Sequence, residues 1–229
     1  MLPTGTAAML LLFDIAEDAI IEHDDWHTHE HVPERLAIPG FLRGSRWIAR
    51  TGAPRYFAMY EVQSLAVLMS RSYLERLNNP TPWTAKMMRS YVGMRRALCD
   101  VVASVGSGMG GTALVIRFEV DEDHRSMLRA WLTNEILPGL VGRPGIVSAH
   151  LLSASAPAPM TREQEIRGRD ADLHYALLVT GYATDAVAAL ADNELQQEHF
   201  AARGASMADH AWGVYDHAFS LSAGEIGAG

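Results

Sequence analysis

Short apolar runs alternate along this chain with longer segments of mixed character, and the alternation occurs twice in the same order. Residues 9–15 (MLLLFDI) and 114–120 (LVIRFEV) are short, apolar and bounded by polar residues, as strands are. Each is followed by a helical segment with an early Trp and a Pro-Gly corner. Second strands follow at 41–49 (FLRGSRWIA) and 146–154 (IVSAHLLSA), and third strands at 55–62 (RYFAMYEV) and 173–182 (LHYALLVTGY). Helices are predicted over 64–79 and 184–204, and last strands over 97–105 and 211–221. The order in each half is β-α-β-β-α-β, the split arrangement of ferredoxin-like units. It predicts an α+β fold with antiparallel sheets carrying helices on one face.

The repeat is visible residue by residue. Residues 26–40 (WHTHEHVPERLAIPG) match 131–145 (WLTNEILPGLVGRPG) at six positions, among them Trp26/Trp131, Glu30/Glu135 and Pro33/Pro138. The expected organisation is a first repeat at 1–105, a Gly-rich linker at 106–112 and a second repeat at 113–229. The second repeat carries an insertion at about 155–170, whose Pro, Ala and charge content reads as a long loop. The first repeat has an extra helix at 80–91, where Thr81-Pro82 suits an N-cap followed by Pro. Gly106, Gly108 and Gly111 satisfy G-x-G-x-x-G, but a strand-like run follows where a phosphate site needs a helix. A flexible linker is the better reading.

The copies differ in chemistry. His27, His29 and His31 of the first become Leu132, Asn134 and Ile136 in the second. The first half is therefore the candidate active half and the second mainly scaffold. On a helical wheel His23, His27, Glu30, His31 and Glu34 share one face, and Trp26, His29, Val32, Pro33 and Leu36 share the other, more apolar one. The wheel thus buries His29 and leaves the larger His/Glu set facing solvent. Pro33 complicates this, because it removes an amide donor and clashes with the carbonyl of residue 29, and a distortion there would rotate the register.

Each candidate has a functional and a structural reading. His31 suits proton transfer near neutrality, or is a solvated histidine on a polar face. His29 joins it in catalysis, or is a core histidine bonded to a carbonyl. His27 and His31, four apart beside Glu30 and Glu34, form a weak divalent-metal pattern without a third ligand. His23 with Asp24 and Asp25 suits a helix start. Glu30 and Trp26 recur in the second copy and read as scaffold. Tyr60 would donate to a substrate carbonyl or pack across strands, and Tyr56 alternates with it. Arg43, Arg46 and Trp47 are substrate-binding candidates on the second strand, where Phe41, Arg43, Ser45 and Trp47 share a face opposite Leu42, Gly44, Arg46 and Ile48. Trp83 would roof a pocket or staple a loop. His150, His174, His210 and His217 are scattered and read as structural.

The segment His31-Val32-Pro33, with Pro39-Gly40 beyond it, resembles the H-x-P…P-G pattern of EthD-like proteins, and Trp26 stands one place from their usual aromatic. The two units together resemble the dimeric α/β-barrel superfamily, fused here in one chain. That resemblance implies an intramolecular barrel with a pocket between each sheet and its helices. It favours His31 as the pocket residue, against the wheel. The superfamily holds cofactor-free isomerases, cyclases and monooxygenases acting on small, often aromatic or polyketide-like molecules, and haem enzymes too. Fold alone does not choose among them.

Composition narrows the classes. With 48% apolar and 20% charged residues the chain is an ordinary globular protein, and a formal charge of −8 argues against nucleic-acid binding. The single cysteine, Cys99, excludes an internal disulfide and fits a cytoplasmic location. The apolar run at 7–13 is too short to span a membrane. The resulting expectation is a small-molecule enzyme using His31, with His29 or His27, in an isomerase, cyclase or lyase step, while Tyr60 and an Arg stabilise the oxyanion. No redox cofactor is invoked. The alternatives are a haem- or metal-binding monooxygenase or sensor, with His31 the first axial candidate, and a non-catalytic binding or assembly module. A homodimer is compatible with each.

Overall fold

The structure is a computed structural model, and it describes residues 5–155, 160–208 and 211–226. Among them eight strands close into one antiparallel barrel. The first half contributes β1 (Ala7–Ile15), β2 (Phe41–Gly52), β3 (Tyr56–Val62) and β4 (Tyr91–Gly106), in spatial order β4-β1-β3-β2. The second contributes β5 (Thr112–Val120), β6 (Ile146–Ala154), β7 (Tyr175–Gly181) and β9 (Trp212–Ser222), in the equivalent order β9-β5-β7-β6. The two sheets join at two equivalent seams, β4 with β6 and β2 with β9. A two-residue β8 (Ala205–Ser206) extends the edge of β5. No described helix is long and apolar enough to cross a membrane.

β1, β3, β5, β6 and β7 are buried on both faces along most of their length, which explains why their apolar runs show little alternation. On β1, Ala8, Leu10 and Leu12 face the barrel interior, while Ala7, Met9, Phe13 and Ile15 face the helices. The interior is filled by side chains from both halves, with small Ala8, Ala97, Cys99, Ala113 and Ala176 accommodating Trp47, Phe57 and Tyr215. Eight strands leave an interior just wide enough for such packing. Outside it, each sheet carries its own helices. The duplication persists in the packing: Phe13 stacks on Tyr56 at 5.3 Å between centroids, and Phe118 on Tyr175 at the same spacing.

The helices outside the first sheet are α1 (Ile20–Trp26), α2 (Val32–Leu36), α3 (Arg71–Asn78) and α4 (Pro82–Met87). The hydroxyl of Thr81 accepts from the Thr84 amide at 3.0 Å, so Thr81-Pro82 does open a helix. Outside the second sheet lie α5 (Arg125–Trp131), α6 (Leu137–Val141), α8 (Thr184–Ala188) and α9 (Gln197–Ala201). The expected long helix over 184–204 is thus broken in two. β4 begins six residues earlier than expected, at Tyr91 rather than 97.

Two connections differ from expectation. The insertion is not loop throughout. Thr161 and Gln164 form a capping box that starts α7 (Arg162–Arg167), a local signal that overall composition hides. Residues 156–159 of the insertion lie outside the described residues. The Gly-rich join is packed rather than loose: the Gly110 amide donates to Thr180 Oγ1 at 3.1 Å. A Cβ built on Gly110 would stand 2.1 Å from the carbonyl oxygen of Gly181, whereas one on Gly111 meets nothing within 4 Å. We therefore expect Gly110→Ala to lower stability in urea by about 1–3 kcal/mol, with Gly111→Ala within about 0.5 kcal/mol of the parent. Equal effects would show that the join does not clasp the barrel.

Candidate active site

The first helical segment owes its shape to Pro33. Without an amide hydrogen, Pro33 cannot bond the carbonyl of His29, and its ring crowds that carbonyl. The backbone widens there into a π turn, His27–His31, with the Val32 amide donating to the His27 carbonyl. Pro138 has the same effect in the second half, over Leu132–Ile136, where the Leu137 amide donates to Leu132. In a regular α-helix, side chains four apart advance by about 40° around the axis. The wider turn advances less per residue and keeps His31 in line with His27.

The result is a column of imidazoles. The ring centroids of His23 and His27 lie 5.5 Å apart, as do those of His27 and His31. All three rings are buried, at 0%, 2% and 7% exposure. The wheel expectation is thereby reversed. His29 points to solvent, with 69% of its side chain exposed and its Nδ1 2.9 Å from Asp25. The wheel went astray because it scored the column as polar, and polar as outward. The second copy holds the better signal: Leu128, Leu132, Ile136 and Leu140 stand at the places of His23, His27, His31 and Arg35, and three of these four are at most 2% exposed.

Around the column the partners are tyrosines, one carboxylate and one guanidinium. Tyr60, on β3, lies with its hydroxyl 3.3 Å from His27 Nε2, and Tyr91, on β4, with its own 3.4 Å from His23 Nε2. His23 Nδ1 is 3.3 Å from Asp24. Trp26 packs on His31 at 4.3 Å between centroids. Arg35, one turn beyond His31, is 1% exposed and donates from Nη2 to Glu163 at 2.5 Å. Glu163 comes from α7, so the second half's insertion closes over the first half's column. The Nδ1 atoms of His27 and His31, and Nη1 of Arg35, are buried without a hydrogen-bond partner.

Burial dominates the electrostatics. It pushes the basicity of His27 and His31 well below the ordinary histidine value, and the nearby cations, Arg35 foremost for His31, add to the effect. Both rings are therefore neutral at neutral pH. Burial also lowers His23, against the opposing pull of Asp24. Burial raises the Tyr60 hydroxyl well above the ordinary tyrosine value, so it remains a donor. Burial works against the charge of Arg35 too, but the adjacent Glu163 carboxylate outweighs it and the guanidinium stays protonated.

Other candidates lie elsewhere. Arg46 is on the helix side, where it clamps the start of the column through the Asp24 carbonyl at 3.0 Å and Thr28 Oγ1 at 3.2 Å. Arg43 and Trp47 are on the opposite, barrel-interior face of β2: Arg43 pairs with Glu61, and Trp47 packs in the barrel core. Phe41 parts from them, because a bulge between Phe41 and Arg43 turns it to the helix side. Trp83 donates to Glu22 at 3.2 Å, beside the cluster of Trp26, Met87 and Met88. Tyr56 packs on His23 at 4.9 Å. His150 sits inside the barrel with Nδ1 2.8 Å from Ser104 Oγ, its basicity pushed down to about 4 by burial. Cys99, also in the barrel interior, has its thiol pushed up to about 12 by burial. His174 is half exposed, and His210 lies outside the described residues. Among the described residues, no three His, Cys, Asp or Glu side chains are grouped to hold a metal ion.

The sequence reading missed Arg35, Tyr91 and Glu163, and assigned His23 to a helix start only. Arg35 was legible, since it extends the spacing 23, 27, 31 by one more step of four. Glu163 was not, because nothing local ties it to a site 128 residues away.

No family model and no curated protein matches the sequence. Solved structures do match it in fold along nearly its whole length. An anthrone oxidase-like protein shares 13% identity over 97% of this chain and 96% of its own, with a TM-score of 0.66. A candidate monooxygenase from Fusobacterium nucleatum shares 8% over 96% and 95%, with a TM-score of 0.60. A candidate chlorite dismutase shares 12% over 96% of both chains, with a TM-score of 0.58. At these identities the likeness is one of fold: a dimeric α/β barrel with both halves on one chain.

Two outcomes test the site as described. Glu163→Ala strands a buried guanidinium and should cost about 3–5 kcal/mol, whereas the pair Arg35→Met with Glu163→Leu should recover most of it; urea denaturation measures both. The column also makes stability depend on pH. The rings are neutral when folded and take up protons near pH ~6.5 when unfolded, so stability is full above that value and falls as pH drops below it. The slope is up to about 1.4 kcal/mol per pH unit for each ring. Replacing the column with the second half's residues (His23→Leu, His27→Leu, His31→Ile) should flatten the loss seen in melts between neutral and mildly acidic pH. An unchanged slope would contradict the burial of the neutral rings.

Proposed function

We propose that this protein oxidises a small, electron-rich organic molecule with dioxygen, His31 acting as the base. The observation that carries the reading is the run of buried polar atoms without a hydrogen-bond partner on successive turns of one segment: His27 Nδ1, His31 Nδ1 and Arg35 Nη1, the last with only Glu34 at 3.9 Å. Native interiors rarely leave such atoms unsatisfied, and an active site is one reason they do. His31 is the most exposed of the three column rings, which makes it the one to meet substrate. Neutral at neutral pH, it is ready to accept a proton. Tyr60 holds His27 behind it, and Arg35 offers a donor to the oxyanion that forms. The H-x-P pattern at His31 belongs to the same reading.

The chemistry suits a methylene flanked by aromatic rings and conjugated through them with a carbonyl, as in an anthrone. His31 removes a C–H proton, and the resulting carbanion, delocalised onto the carbonyl oxygen, reduces dioxygen. The hydroperoxide so formed loses water, giving the overall change of CH2 and O2 into C=O and H2O. Isomerisation and cyclisation begin with the same proton abstraction. The names carried by the neighbours in fold, an anthrone oxidase-like protein and candidate monooxygenases, favour the oxidative outcome. The column does not suit haem. His27 is engaged by Tyr60, and Arg35 with Glu163 closes the turn beyond His31. A macrocycle would have to displace all of them.

The test uses an anthrone as probe, following oxygen uptake and quinone absorbance above the spontaneous rate. His31→Gln should lower kcat/KM by roughly 10²–10⁴. Because the base works deprotonated and burial lowers its pKa, the wild-type rate should hold as pH falls through ~6.5 and drop only below it. A rate no faster than spontaneous oxidation, or a fully active His31→Gln, would overturn the reading.

A further inference from the structure

α7 has two working faces. On one, Glu163 holds Arg35 and Ile166 packs toward Trp26, Met87 and Met88. On the other, Gln164 borders a groove of about 720 Å³ that runs between the insertion and the seam of β4 with β6. That volume is in the range that takes a small organic ligand. Its apolar side includes Leu98, Leu173 and Tyr175, and its charged side Arg96, Arg125, Arg169, Asp170 and Asp172.

Arg125 has its own partner in Glu122 at 3.3 Å, but Arg96 has no close carboxylate to itself. Asp170 is already taken by Arg167, through bonds of 2.9 and 2.7 Å, and by Gln164 at 2.9 Å. Arg96 is left loosely held, although only 7% of its side chain is exposed. Its contacts are Met9 Sδ at 3.4 Å, the Tyr73 hydroxyl at 3.4 Å and Asp170 at 3.8 Å. None has the 2.7–2.9 Å length of a charge-assisted bond. A buried cation held so weakly is costly unless an anion completes it. Arg169 stands at the same groove, exposed. With Arg125 offset by Glu122 and Asp170 by Arg167, Arg96 and Arg169 face only Asp172, a local excess of one positive charge on a chain of formal charge −8.

We infer that the groove is a binding site for a small aromatic carboxylate, Arg96 taking the carboxylate while Leu98, Leu173 and Tyr175 take the ring system. The inference goes beyond the oxidation reading and does not require it. The experiment is calorimetric titration of the intact protein with 2-naphthoate and its neutral counterpart 2-naphthamide. The carboxylate should bind roughly tenfold more tightly than the amide, and added salt should narrow the gap. Arg96→Gln should abolish the preference, Arg96→Lys keep part of it, and the surface change Arg169→Ala reduce it without affecting the fold. Equal affinities for the two probes would overturn the inference, as would a preference surviving both Arg96→Gln and Arg169→Ala. If Arg96→Gln does not fold, the wild-type pair and Arg169→Ala decide. Naphthoate binding without anthrone oxidation would remove the oxidation reading and leave the groove standing.

Discussion

An amide hydrogen that Pro33 lacks governs the first half of this molecule. Because the carbonyl of His29 cannot be bonded in the α-helical way, the chain takes a π turn from His27 to His31. The turn holds His23, His27 and His31 in one column rather than letting them wind around the helix. It presses that column onto the outer face of the sheet, where Tyr60 and Tyr91 meet it. The burial of the rings, their neutrality and the placing of Arg35 one turn further on all follow from the same local constraint.

The second half shows what that constraint does without the chemistry. Pro138 makes the same π turn, and Leu128, Leu132, Ile136 and Leu140 pack against their sheet. An aliphatic column is the more stable solution, since each residue gains burial and leaves no polar atom to satisfy. The first half gives that up at four successive places. It recovers part through Asp24 on His23, the two tyrosines and Glu163 on Arg35. It leaves two imidazole nitrogens and one guanidinium nitrogen without a hydrogen bond. Departures from the better-packed solution tend to concentrate where function needs them.

Much of the architecture was legible in the sequence. The strand order and the closed barrel follow from the duplicated runs and the resemblance they carry, because period and order are local signals. Thr81-Pro82 opened a helix as its chemistry requires. The facing of the column was legible in principle, since the aliphatic residues of the second copy mark the buried face. The wheel obscured it by treating His as a solvent residue. Phe41 shows another limit: strand alternation puts it on the face of Arg43 and Trp47, and the bulge between Phe41 and Arg43 turns it to the helix side instead. Glu163 was beyond reach, because a contact spanning 128 residues depends on how the two sheets close.

Fusion of the two repeats explains why α7 can do what it does. In a barrel made from two identical chains, a change at one site is forced on the other. A single chain is free of that rule. One half can keep a polar column while the other fills the same space with leucine. The connection between β6 and β7 can then lengthen into a helix that reaches across to the neighbouring half. Placed there, α7 meets the column on one face through Glu163 and the arginine-lined groove on the other through Gln164. Glu163 holds the buried guanidinium beside His31, and Gln164 holds Asp170, the carboxylate nearest Arg96. Both regions are therefore built on the same six residues, Arg162–Arg167, supplied by the half that carries no histidine column of its own.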